Sequence, residues 1–230
     1  MKSSFKKIIV VLMFSFFTSV NAQKILFVGN SLTYSNNLPD ILEDIANKSG
    51  IEIKTKSLCF ANYAIADHLN EGKLHKTLSK KKYDYVVVQQ GPSSQLEGKK
   101  MLIDDGRILK KVCDKYNTKL VYFMVWTSKK WYHTLDLVIE NHKIAAKQNN
   151  ALLFPVGKVW KEYNKHKNVE YLYSLDGFHP SKAGSFLAAL TMFHRLYPKE
   201  NLHLLKFPDY KKWIKNEDSF KLIIKLIEDN

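Results

Sequence analysis

Cysteine is scarce in this chain. The 230 residues hold only Cys59 and Cys113. Two thiols cannot make a structural zinc site alone, and no histidine clusters with them, so no metal is expected. In an oxidising compartment they could pair. They could equally stay free and buried, since Cys59 ends an apolar stretch and Cys113 sits inside an amphipathic helical pattern. Long apolar runs are lacking too. The one candidate, Ile8 to Val20, is thirteen residues long and too short to span a bilayer comfortably. Internal repeats, low-complexity segments and linkers are absent, which leaves one domain as the expectation for this length. Acidic residues are in deficit, 22 against 36 Lys and Arg, for a formal charge of +14. Such an excess suits acidic polysaccharide, an anionic membrane surface or nucleic acid. The lysines are scattered, though, and clusters such as Lys80-Lys81-Lys82 read as solvated helix ends. No nucleic-acid motif is present, so no nucleic-acid partner is expected.

The short apolar run has a different use. Lys2, Lys6 and Lys7 precede it, and Val20-Asn21-Ala22 closes it with small residues at the outer positions. A basic start, a short apolar core and a small-residue end are the layout of a secretory signal peptide, here residues 1–22. No cysteine follows, so a lipid anchor at that point is unsupported. The expected mature chain is 23–230, one domain with a C-terminal helical extension, secreted or periplasmic. It carries three lysines fewer, a charge of +11, and no later stretch for stable membrane insertion.

Apolar runs then alternate with helical patterns. Strands are predicted at 24–28, 51–58, 85–89, 120–125 and 151–154. Helices are predicted at 38–48, 64–80, 100–116, 135–149 and 182–196. A last apolar stripe, Phe220, Ile223, Ile224 and Ile227, marks a capping helix. This alternation predicts an α/β fold: a parallel sheet with right-handed crossovers and helices on both faces. Five strands suit a flavodoxin-like order, 2-1-3-4-5. In such sheets ligands bind at the carboxyl ends of the strands. Ser31, Asn62 and Gln89 follow strands one to three, and Asp176 and His179 follow the last, so all belong to one rim.

Two segments concentrate the chemistry. Lys24-Ile-Leu-Phe-Val-Gly-Asn-Ser31 reads as a buried strand ending in a tight turn that presents a serine. Asp176-Gly-Phe-His179-Pro180 puts a carboxylate and an imidazole three residues apart, ahead of a helix whose N-cap is Ser181. A serine hydroxyl becomes nucleophilic when an imidazole takes its proton and a carboxylate fixes that imidazole's tautomer. The aromatic cluster Trp126, Trp131 and His133 follows strand four. It either lines a substrate pocket, stacking on a sugar, or packs on itself. The stretch from Pro155 to Trp160 is expected on the same rim.

The chain resembles the SGNH hydrolases, also called GDSL-type esterases and lipases, over nearly the whole mature sequence. Gly29-Asn30-Ser31-Leu32 resembles the family's first block, with asparagine for the more usual aspartate, and Asp176-Gly-Phe-His179-Pro180 resembles its last. The resemblance implies a three-layer α/β/α sandwich and ester hydrolysis without a cofactor. It makes Ser31 the nucleophile, His179 the general base and then acid, and Asp176 the residue that orients His179. The family's oxyanion donors are a glycine N–H after strand two and an asparagine amide after strand three, beside the nucleophile's own N–H. Here those places hold Ala61 and Asn62, and Gln89. This resembles a branch with glutamine in the third block. The partner so implied is a small acyl ester, with an acylated carbohydrate as the plausible form for an exported protein. An acyltransferase would use the same residues. The altered second and third blocks fit a different class, a non-catalytic carbohydrate-binding or scaffold protein that keeps the fold.

Overall fold

The structure is a computed structural model, and it describes residues 22–230. The leader segment read from the sequence lies outside the described residues, apart from Ala22. Strand β1 (Gln23–Gly29) runs straight into a one-turn helix, α1 (Ser31–Tyr34), and then α2 (Leu38–Lys48). Strand β2 (Ile53–Cys59) is followed by α3 (Ile65–Asn70) and α4 (Lys73–Lys80). Next come β3 (Tyr85–Val88), α5 (Leu96–Lys115), β4 (Lys119–Phe123), α6 (Leu135–Gln148), β5 (Leu152–Phe154) and α7 (Val156–Tyr163). A long loop leads to α8 (Lys182–Leu196), and α9 (Glu217–Glu228) closes the chain. All five strands are parallel, in the order β2-β1-β3-β4-β5. The expected fold class and strand order are those observed.

Side-chain alternation along β1 divides the core. Ile25 and Phe27 face one layer, while Leu26 and Val28 face the other, and all four are fully buried. The first layer is formed by α2, α7, α8 and α9. In α2 the apolar residues Leu38, Ile41, Leu42, Ile45 and Ala46 recur at helical spacing and are all buried. Helix α8 is apolar on every side, and Ala183 to Phe193 are buried without a break. It can be so because α9 covers it, through Phe220, Ile223, Ile224 and Ile227. Each of these side chains contributes roughly 1.5–3 kcal/mol by leaving water. The second layer is formed by α3, α4 and α5. Helix α6 feeds both layers, Leu135 and Val138 in one and Ala145 in the other. Edge strand β2 exposes Lys54, Lys56 and Ser57, a charged edge that discourages pairing with another chain.

Two expectations change. The helix predicted over 64–80 breaks into α3 and α4 at Gly72, which takes φ +73°. The Pro155–Trp160 stretch is not a pocket-shaping loop. It opens α7, and Val156, Val159 and Trp160 are buried in the core. The cysteines are free. They belong to opposite sides of the sheet: Cys59 packs against the first layer, and Cys113 is buried in the second.

Candidate active site

The strand register brings the site together. Gly29 is level with Cys59, and Val28 with Val88, so the turns after β1, β2 and β3 leave the sheet side by side. Gly29 is followed by Asn30 in an extended conformation, φ −134°. Its Oδ1 caps α1 by accepting the Leu32 N–H at 3.1 Å. Ser31 is therefore the first helical residue, where a backbone N–H has no partner within the helix. Its hydroxyl stands at the sheet's carboxyl rim. Gly29 cannot carry a side chain, since a Cβ there would lie 2.7 Å from Gln89 Oε1 and 2.9 Å from Thr33 Oγ1.

Asp176 and His179 lie in the loop before α8. Asp176 Oδ1 accepts three hydrogen bonds: Ser174 Oγ at 2.6 Å, Phe178 N–H at 2.9 Å and His179 N–H at 3.0 Å. Its Oδ2 meets His179 Nδ1 at 2.5 Å. The Ser174 hydroxyl first, then the His179 ring and the Phe178 N–H, hold this carboxyl well below the usual carboxylate range. A carboxylate only accepts, so the ring proton sits on Nδ1. Nε2 is then a free acceptor, 2.9 Å from Ser31 Oγ. The loop is pinned from several elements. Ser174 N–H donates to His179 O, and Lys129 N–H to Gly177 O, both at 2.8 Å. Trp126 Nε1 donates to Phe178 O at 3.0 Å, and Asn36 Nδ2 to Pro180 O at 2.9 Å. The imidazole is thus aimed by the fold, not by its own rotamer preference alone.

The turn after β2 holds Ala61 and Asn62, both exposed. Asn62 takes φ +64°, the left-handed region that favours glycine and that asparagine tolerates best among other residues. The Ala61 and Asn62 N–H groups make no hydrogen bond to any described residue. Gln89 departs from expectation. It is 1% exposed and lies under the nucleophile turn, where its Oε1 accepts from Asn30 N–H at 3.0 Å and from Thr33 Oγ1 at 2.8 Å. Its Nε2 has no partner and is sealed from solvent, so in this conformation it cannot reach an oxyanion in the open site. Gln90 is also turned inward, donating to Ser93 Oγ at 3.0 Å.

A cavity of about 530 Å³ opens beside the triad loop, walled by Trp131, His133 and Phe178. The Phe178 ring is 5.2 Å from that of His179. Trp131 and His133 thus line a cavity, and Trp126 does not. Trp126 is fully buried and stacks on Trp160, rings 3.8 Å apart, because its indole is needed inside to hold the triad loop by its N–H. A larger cavity, about 630 Å³, lies at the amino ends of the strands around Asp84 and Lys119, away from Ser31. Among the described residues there is no cluster of metal-ligating side chains. No described helix is long and apolar enough to cross a membrane.

Solved structures carry the same arrangement of elements. A protein assigned to the SGNH hydrolases, from Slackia heliotrinireducens, is 26% identical, with a TM-score of 0.66 over 76% of this chain and all of its own. The chain belongs to the SGNH hydrolase superfamily. A DUF4886 family protein from Bacteroides uniformis is 16% identical and matches over 91% of this chain and 94% of its own, with a TM-score of 0.76. An acetyl-xylooligosaccharide esterase from Geobacillus is 16% identical, with a TM-score of 0.56 over 77% of this chain and 96% of its own. No family profile and no curated protein sequence matches the chain.

Several residues of this SGNH site escape the sequence reading. Thr33 shares the Gln89 oxygen, and Ser174 is the first cause of the low Asp176 pKa. Asn30 does more than cap: its Nδ2 donates to Tyr63 O at 3.0 Å and laces the β2 turn to the nucleophile turn. The aspartate more usual in the family has no proton to give there. His68 is buried, and its Nε2 meets Gly29 O at 2.9 Å, so Nε2 carries the proton. Burial lowers its pKa and keeps it neutral. The only sequence signal for these residues is their closeness to a turn. Apart from Ser174, which is two residues from Asp176, their partners are 33 to 59 residues away.

Proposed function

We propose that this protein is an exported serine esterase in which Ser31, His179 and Asp176 form the catalytic triad. The observation that carries this is the unbroken chain from Ser31 Oγ through both ring nitrogens of His179 to Asp176 Oδ2, at 2.9 and 2.5 Å. In the proposed reaction Ser31 Oγ attacks the ester carbonyl carbon while His179 Nε2 takes the hydroxyl proton. The negative charge on the carbonyl oxygen is met by backbone N–H groups: that of Ser31, and those of Ala61 and Asn62. Collapse of the tetrahedral species expels the alcohol, which receives the proton from His179, and leaves Ser31 acylated. Water then enters by the same steps in reverse roles and releases the acid.

Three unpaired backbone donors support a working oxyanion hole without a side-chain amide, and each such donor is typically worth about 10²–10³ in rate. They answer the main argument for a non-catalytic scaffold, the altered second and third blocks. The substrate that the site favours is a small acyl ester on a carbohydrate. Support comes from the half-exposed Trp131 at the mouth of the cavity, a surface for a sugar face, and from the esterase on xylo-oligosaccharides that shares the fold. Export rests on the leader-like residues 1–22. The test is turnover of p-nitrophenyl acetate by the wild-type protein and by Ser31→Ala, with a serine-reactive phosphonate as label. Turnover lost in Ser31→Ala, with the label on Ser31, is expected. Two equally inert proteins and no label would end the esterase reading.

A further inference from the structure

The cavity beside the triad has an electrical character that an ester pocket does not need. None of the side chains lining it is a carboxylate. Its polar groups, Ser94, Gln95, Thr127, Ser128, His133 and Thr134, include neutral donors, and Trp131 and Phe178 are among its apolar walls. The cation at its lip is Lys130, whose Nζ stands 5.5 Å from the centre of the Trp131 ring. The adjacent Lys129 lies along the triad loop, with its Nζ 5.0 Å from the Tyr171 ring. Neither lysine is ion-paired with a described carboxylate, a state they share with most of the described lysines. The acids nearby are otherwise placed. Asp176 is hydrogen-bonded to His179 and keeps its negative charge, Asp136 is paired with Lys161, and Glu97 sits on the first turn of α5 outside the lining.

Two lysines against the single charge of Asp176, at the mouth of a cleft lined by no acid, raise the local concentration of anions and favour a negative group on the ligand. A half-exposed indole offers a flat apolar face to the C–H side of a pyranose, and the donors around it suit its hydroxyls. We propose that this cavity is a subsite for an anionic sugar residue of the substrate, a hexuronate, with its ring on Trp131 and its carboxylate at Lys130. The proposal rests on the esterase reading above and adds the substrate's charge to it. A neutral glycan would leave Lys130 without a role. A lipid acyl chain would strand the amide, hydroxyl and imidazole groups of the lining against hydrocarbon.

The experiment is binding to the Ser31→Ala protein, which blocks turnover, followed by tryptophan fluorescence. The ligands are tri-galacturonic acid and its fully methyl-esterified form, which differ in charge and in the ester methyl groups. The acid is expected to bind at least fivefold more tightly, and 0.5 M NaCl should erase most of that preference. Lys130→Ala should remove the preference while leaving p-nitrophenyl acetate turnover of the otherwise wild-type protein intact. Trp131→Ala should weaken both ligands at least fivefold. Equal binding of the two forms, no binding of either, or a preference that survives Lys130→Ala overturns the proposal. So does Trp131-dependent binding to phosphatidylglycerol vesicles without any oligosaccharide preference, which would assign the face to a lipid surface. A protein that turns over p-nitrophenyl acetate but shows no charge preference loses only this inference. One that binds the acid but never cleaves an ester loses only the catalytic reading.

Discussion

Replacing Gln89 by alanine separates two roles for this side chain, a brace beneath the nucleophile turn and a direct donor to the oxyanion. As a brace, Gln89 supplies one oxygen to two donors, Asn30 N–H and Thr33 Oγ1, and these flank Ser31 in sequence. The alanine variant strands the buried Asn30 N–H, at about 1–3 kcal/mol, whereas Thr33 can turn its hydroxyl elsewhere. The buried Cγ methylene is lost as well, about 0.8 kcal/mol, and the space it filled is left behind. Against this, the variant removes the Nε2 group that is buried without a partner, and so relieves about 1–3 kcal/mol. The net expectation is a destabilisation of about 1–2 kcal/mol, or roughly 3–6 °C in Tm for a domain of this size. Because the backbone donors remain, kcat on p-nitrophenyl acetate should fall less than tenfold below the melting range. Thermal unfolding and steady-state kinetics on one preparation measure both. A kcat loss of 10²-fold or more with an unchanged Tm would refute the brace, since that is the signature of a lost oxyanion donor.

Asp176→Asn keeps an oxygen for the loop N–H groups but turns a donor toward His179 Nδ1. The ring then moves its proton to Nε2, which can no longer accept from Ser31, so kcat should drop about 10⁴-fold with circular dichroism unchanged. Asn30→Asp keeps the cap but removes the donor to Tyr63 O and sets a carboxylate against that carbonyl. A loss of about 1–3 kcal/mol in urea unfolding is expected, with the family's commoner residue the worse one here. His142 is fully buried, with Nδ1 2.8 Å from Val138 O and no partner for Nε2, and burial pushes its pKa down to about 4. The unfolded chain binds that proton near pH 6.5, so the folded state is favoured fully above that pH. This share of stability, about 3 kcal/mol, is lost as pH falls toward 4. His142→Leu should flatten the fall in urea midpoint between pH 7 and pH 4.5.

Much of this protein is legible along the chain because the relevant forces are local. A parallel strand buried on both faces must be apolar throughout, and an amphipathic helix must repeat every three to four residues. The five strands and most of the helices could therefore be read from the pattern, α2 and α8 to their end residues. Strand order was not in that pattern: 2-1-3-4-5 is only the order that suits five such strands, and it is the one observed. Ser31 was legible because a serine straight after a buried strand and a Gly-Asn turn is a local arrangement, and Asp176 and His179 because three residues separate them. The break at Gly72 and the helix α7 were misread, since whether a glycine bends a helix, or a Pro-led stretch starts one, depends on what packs against it.

The sequence by itself determined the α/β layering and the rim on which chemistry can occur, and it singled out a serine, a histidine and an aspartate as candidates for nucleophile, base and orienting acid. Only the tertiary structure decided their partners. Whether an aromatic after β4 is pocket wall or core depends on contacts beyond its neighbours. So Trp131 stands at the cavity while Trp126, five residues earlier, is stacked inside on Trp160. Whether a glutamine after β3 meets substrate or braces a turn depends on which donors the register of β1 and β3 brings to it, and here they are Asn30 and Thr33. Hydrogen bonds are short and directional, so a polar side chain's role is set by neighbours within about 3 Å. Those neighbours are chosen by the fold.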